Sequence, residues 1–428
     1  MLKFRLTVMN FLQFFVWGSW LITIGAWWFQ NRHWSGAEFG AIFSTMGIAS
    51  LFMPSLMGIV ADKWIRAERL YGILHLLGAV MLFIVPTIDD PGTLFWVMLV
   101  NMCFYMPTIA LSYTVAYNAL KAEGEDIVKA FPPIRVWGTV GFIAAMWTVS
   151  LLHLETSPAQ FRVAGIAAVL LALYAFTLPP CPPRDTRHES LIDALGLRSF
   201  ALMKNYKMAV FFIFAMFLGA SLQLTNAYGD TFLHDFAKLD QFKHVLAIQY
   251  PAITMSISQV SETLLILAIP FFLKRFGIKT VMLMSMFAWV LRFGLFAYGN
   301  PAGLLWMIVL SNIIYGMAFD FFNISGSLFV EGQADPKIRA SAQGLFMLMT
   351  NGLGAMLGNL VAGWVIDAFY TNHACNDATS ICKDWHGIWL AFAAYSLVIA
   401  VLFAILFRHK HQREPVRPMD TVETMAGP

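Results

Sequence analysis

The stretch "LFWVMLVNMCFYMPTIALSY", Leu94–Tyr113, contains no Asp, Glu, Lys or Arg. Twenty such residues wound as a helix cover about 30 Å, the thickness of the hydrocarbon core of a bilayer. A second stretch, "LLWMIVLSNIIYGMAFDFFN", Leu304–Asn323, repeats the first at an offset of 210 residues, with Trp96 on Trp306 and Tyr105 on Tyr315. Each is followed by a proline-led element, "PPIR" at Pro132–Arg135 and "PKIR" at Pro336–Arg339. Two related halves of membrane-spanning helices are a transporter plan, with the substrate site expected where the halves meet.

Composition agrees. Of 428 residues, 59% are hydrophobic and only 12% charged, against roughly 45–50% and about 25% in soluble domains. Apolar runs place twelve spans, centred near residues 18, 47, 79, 106, 145, 171, 217, 262, 289, 317, 355 and 397. The first run, Leu6 to Phe29, exceeds the h-region of a cleaved signal, about 7–15 residues, and reads as a span. With both termini inside, 22 Lys and Arg fall on the inner side and 5 on the outer, so positive charge orients the chain with cytoplasmic termini. The expected fold class is an all-α membrane protein of twelve transmembrane helices in two six-helix bundles. Residues 1–182 form the N-terminal bundle, 183–206 a cytoplasmic linker, 207–410 the C-terminal bundle and 411–428 a cytoplasmic tail. Helical spacing from Leu191 to Tyr206 is consistent with an amphipathic surface helix in the linker.

Four features carry function. Between spans two and three, "GIVADKWIRAER" carries Gly58, Asp62, Lys63 and Arg66, which resemble a cytoplasmic gate motif of membrane carriers, the glycine allowing close helix approach and the charges able to lock a gate; a plain basic inner loop is the alternative. Polar residues inside spans share helical faces: Gln223, Asn226 and Asp230; Gln259 and Glu262; Asp320, Asn323 and Ser327; Arg135 and Thr139 with Phe142. Tyr315, Phe319 and Phe322 form an aromatic stripe beside them. Facing lipid, such groups would cost several kcal/mol each, so they are expected to converge on a cavity. Amides suit hydroxyls and ring edges, and aromatic planes suit a flat base. Interhelical hydrogen bonds and plain packing compete with that reading for each amide and for Phe322. Asp230, near a span end, reads as a solvated end rather than a site. Arg292 and His75 read as structurally satisfied groups.

Glu262 and Asp320 have no charged residue three or four positions away. Burial disfavours a charged carboxyl, so either is a candidate proton site. Cys375 and Cys382 share the outer loop before the last span, where an oxidising compartment permits a disulfide; two free thiols are the alternative. H-E-x-x-H, G-x-S-x-G and Walker-type motifs are absent, which argues against an intramembrane enzyme and against ATP drive. A receptor and a sugar or oligosaccharide proton symporter remain as rivals.

Several segments resemble one family. "FPPIRVWGTVGF" (Phe131–Phe142), "SISQVSETL" (Ser256–Leu264), "FFLKRFGIKTVMLMSM" (Phe271–Met286), "YGMAFDFFNISGSLFVE" (Tyr315–Glu331), "FLQFFVWGSWLITIGAW" (Phe11–Trp27) and "GIVADKW" (Gly58–Trp64) are similar to the nucleoside:proton symporters of bacterial inner membranes, a branch of the major facilitator superfamily. The resemblance implies alternating access and import of nucleosides with protons. It implies a nucleoside site of Arg135, Thr139, Phe142, Gln223, Asn226, Gln259, Glu262, Tyr315 and Phe319, with Asp320 near it; Phe322 and Asn323 join on their shared face. It implies nucleosides, protons and membrane lipids as partners, no nucleic acid, no metal, no cofactor beyond the coupling proton, and a functional monomer. The outer loop Asn372–Gly387 departs from the family pattern in its length and its cysteines.

Overall fold

The computed structural model describes residues 1–183, 197–301, 303–335, 338–375 and 380–408. Most of the linker and the tail beyond residue 408 lie outside these residues, as do Pro336 and Lys337. Within the linker, Leu197–Lys204 is a 3-10 helix rather than an α-helix.

Among the described residues, nine helical stretches are long and apolar enough to cross a membrane. One of them, Pro251–Tyr298, has 48 residues, too many for one crossing. It breaks at Gly277, whose φ of 76° a residue with a Cβ rarely adopts. Two further helical segments stand outside that group: the short apolar Ala159–Ala175, and Leu2–Gly18, continued by Ile24–Ala26 and a π-helical Trp27–Arg32. Twelve helical segments thus follow one another through the described chain. They are α1 (residues 2–32), α2 (Gly36–Lys63), α3 (Ala67–Ile84), α4 (Pro91–Ala122), α5 (Ile127–Leu151), α6 (Ala159–Ala175), α7 (Tyr206–Phe236), α8 (residues 251–276), α9 (residues 278–298), α10 (Leu305–Gln333), α11 (residues 339–370) and α12 (Trp385–Leu406).

Local chemistry sets the ends. Ser35 and Glu38 form a capping box at α2, Asp90 caps α4 through the Thr93 amide at 2.6 Å, and Asn205 and Asp384 cap α7 and α12. Proline persists inside α2, α4 and α5, at Pro54, Pro107, Pro132 and Pro133, as spans tolerate when neighbours satisfy the freed carbonyls. Large apolar side chains such as Leu170, Leu173, Val398 and Ile405 stay exposed on the rim, the pattern of a surface whose solvent is lipid.

In the first half α1 packs on α5 and α6, α2 on α4, and α3 on α4 and α6; in the second, α9 packs on α10 and α12, α8 on α10, and α7 on α11 and α12. Each half has a buried polar hub. Gln13 accepts from the Tyr71 hydroxyl at 2.7 Å, meets His75 Nε2 at 2.8 Å and donates to Thr108 at 2.9 Å. Arg292 donates to the Ser311 carbonyl at 2.5 Å, approaches Ser258 and Asn312, and lies 4.8 Å from the Tyr315 ring centre. His75 and Arg292 are thus held by structural partners within their own halves, although the buried Arg292 Nε has none.

The closest backbone approaches between the halves gather toward one face. On the face opposite the N terminus, Gly36, Gly40 and Gly47 of α2 run against Asp367, Gly363, Asn359 and Met356 of α11, and Gly25 of α1 runs against Ala227 and Thr231 of α7. Further along α2, toward the N-terminal face, Gly58 has nothing within 4 Å of where a Cβ would stand. Among the described residues, the close backbone approaches between the halves lie on the distal face.

Candidate functional site

The site is built where α5 of one half faces α7, α8 and α10 of the other. Gly316 lets α10 touch the backbone of Ser261 and Glu262, and the Ser261 hydroxyl donates to the Ile313 carbonyl. This crossing sets the Glu262 side chain beside Tyr315 and within electrostatic reach of Arg135 and Asp320. Tyr315, which also contacts Gln259, lies parallel to Phe319 at 5.8 Å and 10°. Trp289 closes the wall edge-on to Tyr315 at 6.0 Å. Across the gap, Arg135 Nε donates to the Tyr113 hydroxyl at 2.9 Å, and its guanidinium lies 4.2 Å from the Phe14 ring centre. Phe142, one turn or two along the same helix, is buried and meets Trp17 edge-on at 6.4 Å.

Thr139, Asn226, Gln259, Glu262, Phe319 and Asn323 are half-buried, whereas Gln223, Tyr315, Asp320 and Phe322 are buried. Gln223 Oε1 and Asp320 Oδ2 have no hydrogen-bond partner. Buried polar atoms are rarely left so; a ligand or a proton would satisfy them. Phe319, Phe322, Asn323 and Trp289 line a small recess of ≈ 20 Å³, completed by Thr350 and Asn351 of α11; that is room for about one water, so a larger ligand needs the side chains or the halves to shift. Phe322 is also packed, stacked on Phe211 at 5.9 Å and 13°. Thr350 and Asn351 escaped the sequence reading; they sit in a π-helical turn, Leu348–Gly354, whose only trace is the glycine-rich "TNGLGAMLG". Tyr113 and Phe14, which hold Arg135, left no trace, because aromatic residues are common throughout these spans.

The gate motif is apart from this site, at the N-terminal face. Among the described residues Asp62, Lys63 and Arg66 form no ion pair, and a Cβ on Gly58 would meet nothing within 4 Å. Cys375 and Cys382 are joined as a disulfide.

One expectation is overturned. Asp230 is not a solvated helix end. Its side chain is fully buried, and His234 Nδ1 lies 3.2 Å from its carboxylate. The physical reason is the distal closure: the turn between α5 and α6 brings Glu155 over this end of α7, and its Oε2 is 3.1 Å from His234 Nε2. Burial pushes the Glu155 carboxyl up, but the hydrogen bond and charge of His234 prevail and hold it below the usual carboxylate range.

The profile of the family described as "Nucleoside H+ symporter" matches residues 1–412. The chain is 54% identical to the xanthosine permease of Escherichia coli, over 96% of this chain and 97% of that one. It is 50% identical to the nucleoside permease NupG of the same organism, over 97% and 98%. It superimposes on the crystal structure of nucleoside transporter NupG with a TM-score of 0.89, covering 96% of this chain and 100% of that one. With its helices in two packed halves and its polar faces turned to the seam between them, the chain is a multi-pass membrane protein that belongs to the nucleoside H+ symporter family.

Proposed function

We propose that the protein imports nucleosides with protons by alternating access, at a site made of Arg135, Thr139, Phe142, Gln223, Asn226, Gln259, Glu262, Tyr315 and Phe319, extended by Asp320, Phe322 and Asn323. The observation that carries this reading is geometric: the parallel Tyr315 and Phe319 rings and the unpartnered Gln223 Oε1 and Asp320 Oδ2 of one half face Arg135 of the other, with Glu262 on α8 within electrostatic reach of Arg135 on α5. A carboxylate from one half and a guanidinium from the other share the seam, so the state of the site and the rocking of the halves are linked. Parallel Tyr315 and Phe319 offer a stacking face for a base, and Gln223, Asn226 and Gln259 offer amide donors and acceptors for its edges and for ribose. In this orientation the termini lie in the cytoplasm of a cell with an inner membrane, and the structure corresponds to the inward-facing state, with one chain sufficing for the path.

A nucleoside is neutral, so its accumulation needs the proton. A charged Glu262 resists closure in a dry cavity; protonated, it donates to the ligand and permits closure, which couples the two fluxes. Asp320, with one unpartnered oxygen, is the alternative carrier of that proton. The nearness of the xanthosine permease makes purine nucleosides the first cargo to try. The test is uptake of a purine and pyrimidine nucleoside panel into proteoliposomes under an imposed pH gradient, with sugars as competitors. Accumulation that follows the gradient and is blocked by nucleosides supports the proposal. Competition by maltose or sucrose alone, or uptake indifferent to the gradient, refutes it.

A further inference from the structure

The distal closure contains ionisable groups that the central site does not use. His234 is inserted between two carboxylates, Oε2 of Glu155 at 3.1 Å from Nε2 and Oδ2 of Asp230 at 3.2 Å from Nδ1, with side-chain exposures of 9%, 6% and 0%. Nδ1 also lies 3.1 Å from the Asp230 carbonyl. A neutral imidazole has one N–H and one lone pair. Whichever nitrogen carries the hydrogen, the other would aim a lone pair at an acceptor. Both carboxylate oxygens of Asp230 are buried without a hydrogen-bond partner, so the cluster has a place for one more proton than two carboxylates and a neutral ring provide.

Glu155 belongs to the first half and His234 and Asp230 to the second. The other oxygen of Glu155 accepts from the Ala252 amide at 3.0 Å, which places the carboxylate at the N-terminal end of α8, where the helix favours an anion. Gln160 steadies this turn by donating to the Glu155 carbonyl at 2.8 Å, and the Trp147 indole donates to Ser256 alongside at 2.9 Å. Parting the halves on this face must withdraw Glu155 from both partners. The surrounding charges are otherwise engaged. Asp235 on α7 pairs with Lys238 at 2.9 Å and accepts from Trp385 of α12 at 2.8 Å, and Lys383 lies 4.0 Å from the Phe29 ring centre of α1. His153, on the Glu155 turn, stacks on Tyr250.

We propose that Glu155, His234 and Asp230 form a second proton-binding site, at the outer gate, which takes up a proton when the gate closes and releases it when the gate opens. Linkage follows: acidic medium on the distal side holds the gate shut and alkaline medium loosens it. The site sits on the side from which the proposed symport draws its protons, and it acts on the gate rather than on cargo. The inference rests on the alternating access proposed above but not on the identity of the cargo.

The test uses the full chain in right-side-out vesicles, with Cys103 and Cys181 replaced and a reporter, Ser256→Cys, placed under the gate. A membrane-impermeant maleimide is applied from outside between pH 6 and 9, and each rate is normalised to the same protein unfolded at that pH. In the parent the normalised rate is expected to rise with pH. In Glu155→Gln and His234→Gln it should be about tenfold faster at pH 6, the shift expected from losing one charge-assisted hydrogen bond, and should lose most of its rise. Glu155→Asp, which keeps the charge, should retain the slope. A parent rate independent of pH overturns the proposal. So do Gln variants that label faster while keeping the parent's slope, since that would make Glu155 a structural tie only. No nucleoside enters this assay, so failure of nucleoside uptake would leave it standing and its own failure would leave nucleoside uptake standing.

Discussion

A methyl group on Gly47 would test whether the closed distal seam is one state of a cycle. A Cβ built there stands 2.6 Å from the Gly352 carbonyl oxygen, 2.6 Å from the Met356 amide nitrogen and 3.0 Å from the Met356 Cα. Unstrained contacts lie near 3.5–4.0 Å, so α2 and α11 must part by about 1 Å for Gly47→Ala. All three atoms are backbone and cannot rotate away. Overpacking of this kind costs about 1–3 kcal/mol, here only while the seam is closed. At about 1.4 kcal/mol per tenfold, the equilibrium moves toward the outward-open state by about 5- to 150-fold. The assay is the outside labelling rate of Ser256→Cys, expected to rise by that factor, together with slowed nucleoside uptake. Gly294→Ala is the control, since a Cβ there meets nothing within 4 Å, and it should leave both unchanged. If Gly47→Ala labels and transports like the parent while remaining folded, the seam is not a gate. If Gly294→Ala moves the readout equally, the effect is not steric.

Three further outcomes are expected. A Cβ on Gly36 would lie 3.4 Å from the Asp367 Cβ, close to the Cβ separation of a disulfide, about 3.5–4.5 Å; Gly36→Cys with Asp367→Cys should therefore cross-link under oxidation, stop uptake and recover with reductant, and cross-linking without loss of uptake would refute a moving seam. Phe319→Ala should weaken nucleoside binding by about 1–3 kcal/mol through lost stacking, measured by equilibrium binding to purified protein; unchanged affinity assigns Phe319 to packing. Glu262→Gln should keep nucleoside exchange but lose accumulation driven by a pH gradient, whereas retained accumulation alongside its loss in Asp320→Asn moves the coupling proton to Asp320.

How much of this was legible in the sequence depends on the distance over which each property is decided. A span is decided by its own twenty residues meeting lipid, so the apolar helices could be placed, including the pair on either side of Gly277 where the helical stretch runs on without a polar loop. Helical faces are also local. Glu262, Gln259, Tyr315 and Phe319 could be grouped by spacing, and the crossing at Gly316 brings those two faces together. Arg135 could be named, but not the Tyr113 hydroxyl and Phe14 ring that hold it, since those partners come from other helices and are ordinary aromatic residues in apolar runs.

Asp230 shows where the method fails and why. Its place near the end of α7 predicts water, and for an isolated helix that is correct. Its burial is produced by a residue 75 positions earlier, Glu155, in a turn whose sequence "LETSP" reads as solvated. Nothing within reach of either residue's own helix period records the encounter, because it is made between a turn and a helix end far apart in the chain. The central site and the seam also differ in what they demand of sequence. A binding site must present the same side chains throughout the cycle, and so it leaves polar faces in otherwise apolar spans. A gate contact must be made in one state and lost in another, so its groups must tolerate water as well as burial, and Glu and His at helix ends meet that condition while looking like loop residues. The tight stretches of the seam are carried instead by Gly36, Gly40 and Gly47, whose lack of a side chain lets two backbones close and part without leaving a cavity behind. Gates in such chains are therefore to be sought in spaced glycines near one end of a span and in titratable residues at the adjoining turn, and substrate sites in the polar faces nearer mid-span.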